Sequence, residues 1–86
     1  MDTEKGNIHA RLSHCFSVVF PLLPTGQIPL ATAQTVKEWD SIAAIMLVNT
    51  IEEEFGITID YEILAELDSF HAIAGYLDES LNGSQR

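Results

Sequence analysis

Eighty-six residues with a net charge of −9 make one small acidic domain, read as a single unit over 1–86 with its core at about 7–80 and a frayed tail over 81–86. One cysteine excludes an intramolecular disulfide, and no metal-ligand spacing is present. The leading Met1-Asp2-Thr3-Glu4-Lys5-Gly6 and the short apolar runs offer neither a secretory signal nor a membrane anchor, so a cytoplasmic location is expected.

Ile8, Leu12, Cys15, Phe16 and Val19 recur at helical spacing and predict a first helix over about residues 7–20, with Asn7 as its N-cap. Pro21, Pro24 and Pro29 stop that helix. Residues 20–38 then read as a long connection that Leu22, Leu23, Ile28, Leu30 and Val36 pin to the core. Trp39, at its end, is expected to pack over the edge of the core.

The second helix is the clearest element, with Asp40 as N-cap and Gly56 as C-terminal stop. At 100° per residue Ala44, Leu47, Val48, Ile51 and Phe55 share the sector facing the core. Ile42, Met46, Asn49 and Glu53 fall on the opposite side, and Ile45 at the boundary. An apolar strip beside the first turn of a helix is a docking surface in outline.

Ile57-Thr58-Ile59-Asp60 alternates like a strand but has no partner, so it is expected as extended loop. Asp60 caps a short third helix over 61–65. Ser69 caps a last helix whose buried face is Phe70, Ile73, Ala74 and Leu77. The fold class is therefore all-α, a four-helix bundle with a long first loop and a short third helix.

Eleven of the thirteen acids lie from Glu38 onward, where the one base is Arg86. This surface disfavours nucleic acid and anionic membranes and favours basic protein patches, besides keeping a small apolar domain in solution. No nucleophile, base or metal cluster has credible spacing, so an enzyme is not expected. Cys15 lies on an apolar helix face and reads as a small buried hydrophobe. His9, His14 and His71 form no ligand pair, and the acids lack the glycine and alternating oxygens of an EF-hand.

Ser41 is the exposed serine at the first turn of the second helix. A helix N-terminus leaves unpaired N–H groups and a partial positive charge, which favour a phosphate esterified there. A serine in that position also serves unmodified, as a cap or first-turn residue.

Asp40-Ser41-Ile42, the helix that runs on to Glu52-Glu53-Glu54-Phe55-Gly56, the extended Ile57-Thr58-Ile59 and the Ser69-Phe70 start of the last helix together resemble the acyl carrier proteins, continuously over residues 38–77. The first 37 residues match only in outline. Trp39 before Asp40 makes the chain most similar to small stand-alone carriers of specialised biosynthesis. The resemblance implies 4′-phosphopantetheine on Ser41, installed from coenzyme A by a phosphopantetheinyl transferase that also reads Asp40. It further implies a monomer that presents acyl groups, as thioesters, to acyl-activating or acyl-transferring enzymes. Many fatty-acid carriers hold acids where this chain has Ala43 and Met46, so its partners are expected to read an apolar surface formed by Ile42, Ile45 and Met46, with Glu53 beyond. The alternatives are a carrier of aminoacyl or peptidyl groups and an unmodified helical interaction module.

Overall fold

The computed structural model describes residues 3–82; of the tail expected to fray over 81–86, residues 81 and 82 are the helical end of the chain's last helix, and 83–86 lie outside the described residues. Three α-helices form the frame: α1 (Thr3–Val19), α2 (Ser41–Phe55) and α3 (Phe70–Asn82). Two 3-10 helices, Thr25–Leu30 and Tyr61–Glu66, lie in the connections. Among the described residues there is no strand, only an isolated antiparallel bridge between Thr32 and Ser69.

The structure is all-helical, as expected, but its segments divide differently from four bundle helices and a loop. The first connection contains a 3-10 helix with Pro29 inside it, and the short third helix is also 3-10. Proline fixes φ near the 3-10 value and lacks the N–H a longer helix would need, so a prolyl segment settles into i→i+3 turns. Helix α1 starts at Thr3, which places Asn7 inside it and not at its cap. Glu4 and Lys5 are good helix formers and extend it by another turn.

The core is contributed by all three helices. Leu12, Cys15 and Phe16 of α1, Leu47 and Ile51 of α2, and Phe70, Ile73 and Leu77 of α3 are almost fully buried. Of the five residues expected to pin the first connection, Ile28 and Val36 are buried and Leu23 is half-buried. Leu22 and Leu30 are instead 84% and 70% exposed. The turns around Pro21, Pro24 and Pro29 direct successive side chains to different sides, so only part of the segment can point inward. Ala31 is buried too, and around it the connection is stitched to the start of α3: Ala33 N–H donates to Asp68 C=O at 2.8 Å and Phe70 N–H to Ala31 C=O at 3.0 Å.

Phe55 is half-buried where full burial was expected. The Arg11 guanidinium sits 4.5 Å from its ring centroid while Arg11 Nε donates to Glu54 Oε2 at 2.8 Å and the guanidinium also donates to Glu54 C=O. Arg11 thus covers the outer ring face with cation–π contact and ties α1 to the last turn of α2.

Candidate functional site

Helix α2 begins with every local signal in place. Asp40 is extended (φ −107°, ψ −171°), and its Oδ1 accepts the Ala43 N–H at 2.8 Å. Its carbonyl accepts the Ala44 N–H at 2.9 Å, the first turn of the helix. The approach is held by turns, with Trp39 N–H donating to Val36 C=O at 3.0 Å and Asp40 N–H to Glu38 C=O at 2.9 Å. Trp39 anchors this corner: it is buried against Phe16, edge to face at 5.5 Å, and against Phe20 at 5.6 Å. At the far end Gly56 takes the left-handed conformation (φ 66°), and its N–H and that of Ile57 both reach Glu52 C=O. That conformation strains any residue with a Cβ, which is why a glycine closes the helix here.

Ser41 occupies the first helical position and is exposed, with its hydroxyl engaged by no protein group among the described residues. The N–H groups of Ser41 and Ile42 likewise have no protein acceptor, because the Asp40 cap takes only that of Ala43. An accessible hydroxyl beside unspent helix donors fits the attachment of a phosphodiester. From Ser41 to Ile51 there is no charged side chain.

The strip expected from the helical wheel faces outward: Ile42 is 69%, Met46 51% and Ile45 40% exposed, and Glu53 is exposed as well. The structure also brings together residues that the sequence reading left unassigned. Leu64 of the second 3-10 helix and Leu67 and Asp68 after it bound, with Trp39, Asp40, Ser41 and Ala44, a groove of about 250 Å³. Its far wall comes from residues more than twenty positions downstream of Ser41, so no local pattern announces it.

The other nucleophile and the histidines stand apart. The Cys15 side chain is fully buried with Sγ 3.9 Å from Thr50 C=O, and burial, reinforced by Glu54, pushes its thiol up to about 11. It stays protonated at neutral pH and has no access to a substrate. His9 meets the ring of Phe70 edge-on at 5.2 Å, and it shares with His71 a shallow hollow between α1 and α3. Among the described residues no group of three or more His, Cys, Asp or Glu is arranged to hold a metal ion, and no helix is long and apolar enough to cross a membrane.

Searches of curated proteins and of solved structures found no match. A family model described as the phosphopantetheine attachment site matches residues 39–77, from Trp39 just before the cap to the last buried leucine of α3. Domains of that family are carriers, not catalysts. The match over residues 39–77 is consistent with a domain of the acyl-carrier type, and members of the matched family hold 4′-phosphopantetheine covalently.

Proposed function

We propose that the protein is an acyl carrier protein in which Ser41 bears 4′-phosphopantetheine, transferred from coenzyme A by a phosphopantetheinyl transferase that also reads Asp40. The observation that carries this reading is the exposed, unengaged Ser41 hydroxyl at the capped start of α2, inside the matched segment. Once attached, the arm supplies a thiol on which acyl groups are held as thioesters. The chain's own residues do the rest. Asp40 fixes the first turn, the free N–H groups of Ser41 and Ile42 favour the phosphodiester charge, and the rigid helix holds the attachment point at the surface.

Ile42, Ile45 and Met46 form the surface on which acyl-activating or acyl-transferring enzymes dock, with Glu53 and the acids near the C-terminal end of α2 steering encounter. A cytoplasmic monomer is the form that suits this work. The acidic balance favours acyl over aminoacyl or peptidyl cargo.

Intact mass tests the proposal. Co-expression with a broad-specificity transferase should add one arm to the protein and none to Ser41→Ala, while the variant keeps its helical circular dichroism. A parent that gains no mass is an unmodified interaction module. An alanine variant that still gains the arm would move the attachment to another residue.

A further inference from the structure

The hollow between α1 and α3 takes no part in the site at Ser41. None of its lining residues belongs to α2, to the second 3-10 helix or to the connection that leads to Trp39. Ile8 and Ala74 supply an apolar floor. His71, Gly75 and Asp78 follow one another at i, i+4 and i+7, so they line one face of α3. His9 forms the wall on the α1 side, with its ring held edge-on against the buried Phe70 at 5.2 Å.

Gly75 makes the room. A glycine inside a helix costs stability relative to alanine, and here neither backbone nor packing requires one. Its φ is not positive, and a Cβ added to it would meet nothing within 4 Å. At about 280 Å³ the hollow falls below the ~300–1,000 Å³ of pockets that enclose a whole small molecule, so it suits one long side chain laid along it. Charge decides which kind. No lysine or arginine lines the hollow, and from Glu38 to Asn82 the chain carries eleven acids and neither base. Asp78 already has a partner in the structure, but a carboxylate offers about four acceptor positions and can take a further bond.

We propose that this hollow receives an arginine side chain from a protein partner that holds the carrier by its α1–α3 face. The methylenes lie along Ile8, Ala74 and Gly75, the planar guanidinium stacks against the imidazoles of His9 and His71, and its N–H groups donate to the Asp78 carboxylate. Lysine, a compact and strongly hydrated charge, lacks the plane that the imidazoles would cover. Because this face excludes Ser41 and the Ile42–Met46 strip, such a partner stations the carrier without competing with the enzymes that act on it. The site works whether or not Ser41 carries its arm.

The test uses isotope-labelled full-length protein, without and with the arm, titrated with a capped alanine-based helical peptide that bears one central arginine. Amide shifts should saturate at His9, His71, Gly75 and Asp78 in both forms, with Ser41 to Met46 unmoved. The citrulline peptide, alike in shape but uncharged, should bind about tenfold more weakly, the worth of one charge-assisted hydrogen bond. Asp78→Asn should weaken the arginine peptide by a similar factor. Gly75→Leu fills the hollow and strengthens the helix, so it should melt no lower than the parent and lose the saturable shifts. Equal binding of the two peptides, undiminished binding by Gly75→Leu, or no saturable shift in the parent overturns the assignment. Shifts of the same amides on concentrating the protein alone would place a second copy on this face and overturn it too. The mass gain at Ser41 is unaffected by any of these results.

Discussion

Asp40 holds a hydrogen bond and a charge in the same place, and substitution separates them. Its Oδ1 accepts the Ala43 N–H at 2.8 Å, and its carboxylate lies at the positive end of a 15-residue helix. Loss of an N-cap acceptor costs about 1 kcal/mol, and loss of a charge at a helix N-terminus about 0.3–1 kcal/mol. Asp40→Ala gives up both and should lose about 1–2 kcal/mol by these figures. Asp40→Asn keeps an acceptor of equal capping strength and should lose only the charge part, under about 1 kcal/mol. In a domain of this size each kcal/mol lowers the midpoint by about 4–8 °C, so thermal melts followed at 222 nm resolve the two variants. Rates of arm attachment under limiting transferase, measured below the melting range, then report the charge alone. If the transferase reads the carboxylate, Asn and Ala should slow attachment alike although they differ in stability. Equal stability loss in both variants would refute the hydrogen-bonded cap. Normal attachment to the Asn variant would refute recognition of the charge.

Phe16→Ala should cost about 3–5 kcal/mol, the range for a fully buried phenylalanine, and Phe55→Ala clearly less, because half of that ring lies outside the core under Arg11; urea unfolding gives both values. Cys15 bears on alkaline stability. Its thiol is raised from 9.0 to about 11 in the folded state, so the unfolded chain loses its proton first; stability intact below pH 9 should fall as the pH rises toward 11, and Cys15→Ala should flatten that part of the profile. Met46→Glu places a carboxylate on the exposed strip and should leave the melting temperature almost unchanged while weakening acyl loading of the arm-bearing protein. A variant that unfolds would show Met46 to be core.

Helix α2 was legible because its determinants are local: a capping aspartate, a left-handed glycine and an apolar sector at helical spacing all lie within one stretch. The Ser69 and Asp60 caps were readable for the same reason, and both accept the expected N–H groups. The first connection was not. Periodicity is silent in a prolyl segment, and hydrophobicity alone does not tell an inward Ile28 from an outward Leu22 or Leu30. Arg11 over Phe55 joins residues from different helices, and a helical wheel has no term for a neighbour that arrives from elsewhere. The groove has the same origin: Ser41 and Ala44 were visible as a helix start, but Leu64, Leu67 and Asp68 join them only when the chain turns back.

The bridge between Thr32 and Ser69 has a mechanical meaning. Two backbone hydrogen bonds lock the run leading to Trp39 and Asp40 onto the start of α3, so this corner cannot swing as a hinge without breaking them. The protein is a post, not a joint. Any travel of a tethered group between distant active sites must come from the tether's own length and from the tumbling of the whole molecule, and lengthening the first connection should change the protein's stability without extending its reach.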